Sequence, residues 1–438
     1  MASSFTRRSF GKIGGAATAA LMFPAIHAGA QRPLGANDRI RLGFIGVANR
    51  GGQLISAFMK HSDCEIVALC DVDEKILLKA NEQVGGKADL YRDFRKLIDR
   101  PDLHAVVIAT PDHWHAIQTI MACNAGKDVY IEKPLSITIY EGRKMVEAAR
   151  RNNRVVQVGT QRRSSPLYFQ LRNLVQEGKI GKVTVSRAYR LSNMAPTGIG
   201  HAPPAEPPAS LDWDLWLGPR PARPFQETIA PYKFRWWDLY SSQMANWGVH
   251  YLDAMRWVNG DLAPSSACAM GGRYAVDDDR TIPDTLEAVF EFPSGRLAIF
   301  GQYEASGNPM FAVSGAELEF RGTLGTAFIG NRNIQVMPER GGQFQDPSAR
   351  MESLTIEGPS GDPTILHARN FLDCIRTRQK PNADVEEGHR STTCSLIANI
   401  SLAVRARLDW DPVAERFTNH PEANNLLHYE YRKPWTLD

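Results

Sequence analysis

Disulfide pairing and metal binding find little support in this chain. Its six cysteines (Cys64, Cys70, Cys123, Cys268, Cys374 and Cys394) form no C-x-x-C pair and no metal-ligand spacing. Those in apolar or helix-like runs read as small buried hydrophobes, not as catalytic thiols. Long hydrophobic runs are missing too. A membrane anchor needs about 20 strongly apolar residues, and the weakly apolar stretch near the N-terminus is diluted by Gly, Thr and His27. No internal repeat and no low-complexity tract interrupts the 438 residues. Charge of one sign is also scarce. The 51 Lys and Arg exceed the 48 Asp and Glu by three, and Arg7, Arg8 and Lys12 account for that excess. The remaining body is neutral and offers no bulk electrostatic attraction for nucleic acid or anionic lipid. What is present, 43% hydrophobic and 23% charged residues with 35 Gly and 27 Pro, is the composition of a globular protein of two or three domains.

Thr6-Arg7-Arg8-Ser9-Phe10-Gly11-Lys12 precedes a Gly- and Ala-rich stretch ending at Ala28-Gly29-Ala30, a small-x-small cleavage pattern. Residues 1–30 thus resemble a twin-arginine export signal, an address read by a receptor and not a structural element. The expectation is recognition by the twin-arginine export machinery, a mature chain starting near Gln31 in the periplasm or another extracytoplasmic space, and no stable membrane insertion. That route carries proteins already folded in a reducing compartment, so disulfides are not required.

Residues 40–160 alternate strand-like apolar runs with amphipathic stretches, the pattern of a parallel α/β sheet. Strands are expected at Ile40–Ile45, Glu65–Cys70, Ala105–Ala109, Asp128–Ile131 and Val155–Gly159. Helices are expected over about Gly52–Lys60, Glu74–Val84 and His115–Ala125, with a fourth ending near Asn152. The second half is different: Lys182–Leu191, Thr285–Phe292, Arg296–Glu304 and Ala316–Phe320 alternate apolar and polar residues, like an antiparallel sheet with one covered face. Met194–Pro224, rich in Pro and Gly and carrying Trp213 and Trp216, is too long for a simple connection and is expected to wrap or to function. Helical patterns return at Met244–Val258 and His367–Arg407. The fold class is α/β, with one domain over residues 38–160 and a second over 161–438.

The first strand leads into Gly46-Val47-Ala48-Asn49-Arg50-Gly51 and then a helix. A glycine-rich turn there exposes backbone N–H groups and a helix N-terminus to a dinucleotide pyrophosphate. Ala48 stands at the middle glycine position of the pattern, so the motif is imperfect, but its strand–turn–helix context supports it. Asp71, 25 residues after Gly46, ends the second strand. A carboxylate there accepts ribose hydroxyls and repels a 2′-phosphate, which favours NAD over NADP; the bland alternative is a turn acid capping the next helix. Thr110-Pro111 ends the central strand, where open parallel sheets bind ligands. His113 and His115 follow, and cofactor contact or helix packing suits them better than a metal pair, since only Asp112 stands near as a carboxylate. No metal is expected.

Ala109-Thr110-Pro111, His115, Ala125-Gly126-Lys127 and above all Glu132-Lys133-Pro134 closely resemble the Gfo/Idh/MocA family of nicotinamide oxidoreductases, most specifically over residues 40–160. The resemblance implies a Rossmann domain followed by an α/β domain with a large, mostly antiparallel open sheet, and a homo-oligomer, dimer or tetramer. It implies cofactor contacts through Gly46, Ala48, Asn49, Arg50, Gly51, Asp71, Thr110, Pro111, His113, His115, Glu132 and Lys133. Lys133 is then catalytic: a cation at the substrate oxygen stabilises the negative charge that develops as hydride leaves the carbon. Asn246-Trp247-Gly248-Val249-His250 resembles the family's acid-x-Gly-x-His segment, which makes His250 the general base. Asn246 departs from the usual Asp; an amide orients but cannot relay a proton. Gln161, Arg162 and Trp247 are candidate substrate contacts. The expected activity is hydride transfer between tightly bound NAD and a hydroxyl carbon of a sugar, polyol or glycoside. The alternative is an NAD-dependent glycosidase working by oxidation, elimination and re-reduction.

Overall fold

The computed structural model describes Gly35 and residues 38–359 and 361–437; the export signal expected at 1–30 lies outside the described residues. The uninterrupted apolar runs become the centre of a six-stranded parallel sheet. Its strands are β1 (Ile40–Ile45), β2 (Cys64–Cys70), β3 (Asp89–Tyr91), β4 (Ala105–Ile108), β5 (Asp128–Ile131) and β6 (Val156–Val158), in the order β3-β2-β1-β4-β5-β6. Every residue of β4, β5 and β6 is buried, as expected for strands covered on both faces. The crossover helices are α1 (Asn49–Phe58), α2 (Glu74–Gln83), α3 (Phe94–Ile98), α4 (His115–Asn124) and α5 (Ile139–Arg151). α5 opens with a reciprocal capping box between Thr138 and Glu141. β3 and α3 carry too weak an apolar signal to be read from sequence: β3 is three residues long and mostly exposed.

The second sheet has eleven strands. α6 (Pro166–Gln176) leads to β7 (Val183–Asn193), then come α7 (Trp213–Leu217) and α8 (Val249–Asn259). The strands β8 (Ser266–Gly272), β9 (Thr285–Phe292), β10 (Arg296–Tyr303), β11 (Ala305–Ser306), β12 (Ala316–Gly322), β13 (Gly325–Gly330), β14 (Asn333–Pro338) and β15 (Leu354–Glu357) follow. α9 (Pro363–Thr377), α10 (Val385–Val404), β16 (Leu408–Asp411) and β17 (Arg416–Phe417) complete it. The order is β15-β14-β13-β12-β7-β10-β9-β8-β16-β17, with β11 paired to β7 and only β7–β10 parallel. α6, α8 and α10 cover one face through a core that includes Leu171, Tyr251, Phe290, Phe300, Phe320 and Ile397.

Two helical expectations need correction. The continuous pattern over His367–Arg407 is two helices: α9 ends at Arg378 in the left-handed region (φ 59°), and Asp384 caps α10 by accepting from the Glu386 N–H. The pattern over Met244–Val258 is a π-helical turn, Met244–Gly248, running into α8. Met194–Pro224 wraps, as expected: α7 and the segment after it form their own core of Trp213, Trp216, Phe225, Phe234, Trp237 and Tyr240. All six cysteines are free, five of them buried. Burial pushes the Cys64 and Cys374 thiols up to about 11 and those of Cys123 and Cys394 to about 12, which disfavours the nucleophilic thiolate. No helix among the described residues is long and apolar enough to cross a membrane.

Candidate active site

One cavity lies at the carboxyl ends of β1, β2 and β4. Gly46 turns the chain there at φ 79°, and a Cβ on it would sit 2.7 Å from the backbone of Ala109 and Thr110. Gly51 does not line the cavity; it lets α1 approach the turn, since a Cβ would come 2.0 Å from the Gly46 carbonyl oxygen. Ala48 is the N-cap of α1 and offers no side-chain cap, so the first-turn N–H groups stay free for an anion. Ala48, Asn49 and Arg50 line the cavity with Thr110 and Pro111.

Asp71 also lines it, and Asp73, not Asp71, caps α2 by accepting from the Lys75 N–H. The Asp71 carboxylate accepts from the N–H of Val47 at 2.9 Å and of Asp73 at 3.1 Å. Burial raises its pKa to about 6 against the pull of those two bonds. Free N–H groups at a helix start, a turn that excludes side chains and a carboxylate 25 residues on fit a dinucleotide. Residues from the second half close the cavity: Leu211, Leu215, Trp216, Tyr232 and Arg235 stand across from Asp71 and Thr110. They are stapled in place by Asp212 N–H to Val72 O and Glu74 N–H to Ser210 O, both 3.0 Å.

His113 and His115 work behind this wall and are not on it. The His113 Nε2 lies 2.9 Å from the Trp216 carbonyl, and burial lowers its pKa to about 3. The His115 ring spans the turns after β4 and β5, 2.9 Å from Thr110 O and 2.7 Å from Pro134 O. Glu132 likewise supports rather than lines. It accepts from Arg50 Nε at 2.8 Å and from the Lys133 N–H at 3.2 Å, over Gly159, where a Cβ would meet its carboxylate at 2.6 Å.

Lys133 therefore leaves a fixed turn. Its Nζ donates to both the side-chain and the backbone oxygen of Asn246, each at 2.9 Å, across 113 residues of sequence. Burial is the main cause that lowers Lys133 to about 8; Arg235 and Arg50 add to this while Glu132 and Asp112 oppose it. His250 is held well below the usual imidazole range, first by burial, then by Lys133, Arg162 and Arg50. Lys133 thus stands in the field of Arg50 and Arg235, which line the first cavity, and itself acts on His250, which lines a second.

Gln161, Arg162 and Trp247 line that second cavity with His250. Gln161 Oε1 is a buried acceptor without a partner, whereas Arg162 is already bonded to Tyr168 and Glu317. Arg190 stacks 3.9 Å from the Trp247 ring centre. Sequence reading missed Arg235, Asp112 as a charge near Lys133, Gln243 and Glu304. Only Asp112, beside Thr110-Pro111, had a local signal.

A glycine turn and a buried acid at the carboxyl ends of a parallel sheet, followed by a larger, mostly antiparallel sheet whose covering helix carries His250, define a two-domain dinucleotide-binding fold. Residues 40–160 match the NAD-binding Rossmann fold of the Gfo/Idh/MocA oxidoreductase family, and residues 168–267 and 342–437 match its C-terminal α/β domain. The chain belongs to this family, and its cofactor is NAD.

Inositol 2-dehydrogenase of Salmonella typhimurium is 32% identical over 145 residues, 33% of this chain and 43% of that protein. Levoglucosan dehydrogenase of Pseudarthrobacter phenanthrenivorans is 26% identical over 278 residues, 58% of this chain and 63% of that protein. A glycosyl hydrolase family 109 protein of Shewanella pealeana is 30% identical over 157 residues, 33% of this chain and 34% of that protein. In none of the three does the match reach two thirds of the relative's length. Among solved structures, levoglucosan dehydrogenase in complex with NADH and levoglucosan has a TM-score of 0.66 at 18% identity, over 85% of this chain and 99% of that one. An oxidoreductase domain protein from Kribbella flavida gives 0.65 at 21% over the same shares. These two likenesses speak for the fold.

Proposed function

We propose that this chain transfers hydride between a tightly held NAD and a hydroxyl-bearing carbon of a sugar, polyol or glycoside, outside the cytoplasm. The observation that carries the reading is the Lys133–Asn246 junction, which ties the end of β5 to the segment bearing His250. The glycine turn at Gly46, the start of α1 and Asp71 would hold NAD, which would supply the hydride acceptor or donor. His250, neutral at working pH because burial and three cations depress it, takes the hydroxyl proton. The Lys133 ammonium stabilises the charge left on that oxygen. Asn246 aims the ammonium, and Gln161 offers a free carbonyl to a substrate hydroxyl. Trp247, backed by Arg190, offers an aromatic face.

Two features support retention of the cofactor. The roof from the second half is stapled onto β2 and α2, and the N-terminal arginine pair points to export of an already loaded protein. A cofactor held in this way would need a hydride acceptor to reach it in place, either a second carbonyl substrate or the altered first one. The second course is glycosidase chemistry, and the glycosyl hydrolase family 109 relative favours keeping it as the competing reading. The test is to isolate the exported protein, extract bound nicotinamide, and screen sugars and glycosides for a change in its reduced-form absorbance. Protein free of nicotinamide after gentle purification defeats the retention argument. Release of an aglycone with no standing reduced cofactor selects the glycosidase.

A further inference from the structure

Resting on that reading of Lys133, a buried chain of hydrogen bonds gives a task to a residue far away in sequence. For Asn246 Oδ1 to face the ammonium, the amide NH2 must turn the other way, and there Nδ2 donates to Gln243 Oε1 at 3.2 Å. Gln243 then has its own NH2 facing outward, and Nε2 donates to Glu304 Oε1 at 3.1 Å. The two amides can run in either direction, but a carboxylate has only acceptors to offer. Burial raises the Glu304 pKa, and Arg280 Nη1 on Oε2 and Trp236 Nε1, 3.0 Å from Oε2 and 3.2 Å from Oε1, oppose that shift and favour the carboxylate, which only accepts. Gln243 and Glu304 are each 3% exposed and Arg280 is fully buried, so water does not compete for these bonds.

We infer that Glu304 is a positioning residue for Lys133: through Gln243 it sets the direction of the Asn246 amide and keeps a carbonyl, not an NH2, against the ammonium. The same polarity accounts for the amide at position 246. Gln243 has one donor end and one acceptor end, and a carboxylate at 246 would place an acceptor at both. Asn246 and Glu304 are therefore a matched pair.

The first measurement is the titration of Lys133 in the folded protein, read by pH-dependent acetylation and mass spectrometry. Glu132, Asp112, Arg50, Arg235 and His250 face Lys133 and stay unaltered throughout. The midpoint, about 8 in the unaltered protein, falls by at least about half a pH unit in Glu304→Gln, because Asn246 is free to turn its NH2 toward the ammonium. Gln243→Leu cuts the chain while leaving the Arg280–Glu304 pair, and gives the same fall if Glu304→Gln does not fold. The second measurement is single-turnover hydride transfer. Asn246→Asp combined with Glu304→Gln restores a one-way chain running in reverse, so the double variant is faster than Asn246→Asp alone by at least about threefold. An unchanged midpoint in a folded variant, or losses that merely add in the double variant, overturns the assignment. If Lys133→Met transfers hydride normally, the proposed function falls, while the labelling still decides whether Glu304 positions Lys133.

Discussion

The two cavities are built in different ways. The floor of the cofactor cavity is local: a left-handed glycine, an uncapped helix start and the Asp71 carboxylate lie within Gly46–Asp71, beneath a roof of side chains from Leu211 to Arg235. The second cavity is side chains: Gln161, Arg162, Trp247 and His250, with Lys133 fixed between the two by a bond that spans 113 residues. A floor made of backbone depends on what must be small. A site made of side chains depends on who holds whom. Substitutions in the first should therefore act on binding and folding, and those in the second on chemistry.

The largest effect that tests this contrast belongs to the chemistry. Lys133→Met and His250→Gln should each slow single-turnover hydride transfer by about 10²–10⁴-fold while extracted nicotinamide stays stoichiometric. Loss of cofactor in both would erase the division between the cavities. Next comes Gly51→Val, whose Cβ meets the Gly46 carbonyl at 2.0 Å. It should abolish nicotinamide retention and cost about 3 kcal/mol in urea unfolding; a cofactor-loaded variant of normal stability would contradict the close approach of α1 to the turn.

Asp71→Asn should weaken NAD binding by about 10–100-fold and narrow the preference over NADP, as measured by titration of stripped protein. The smallest effect is the pH profile. The transfer rate should decline as pH falls through the lowered His250 pKa, since a protonated base accepts nothing, and decline again as pH rises through about 8, where Lys133 loses its charge. Lys133→Arg, whose guanidinium does not titrate in that range, should remove the upper decline even though its overall rate is lower.

The same division explains what could be read beforehand. β1 and β5 fall on the residues expected from apolar runs, because a strand covered on both faces has no other pattern to show. The glycine turn and Asp71 were legible because their spacing is local. The break between α9 and α10 carried a sequence signal in Pro381, which a helix interior excludes, while Arg378 ends α9 in a conformation usually left to glycine. His113 and His115 sat in the right place along the chain, yet only tertiary contacts reveal that they brace carbonyls behind the wall. Gln243 and Glu304 carry no local pattern at all. Their meaning lies in the direction of two amides, which exists only after β10 and the π-helical turn have packed together.

The stapled roof has a consequence for biogenesis. Residues 40–160 leave the ribosome first, with the glycine turn, the helix start and Asp71 already encoded. Leu211, Leu215 and Tyr232 arrive only after a further stretch of synthesis, and until they do the nascent cleft is open on one side. Under the proposed retention of NAD, a dinucleotide that enters before this roof closes would be shut in as the remainder of the polypeptide folds over it.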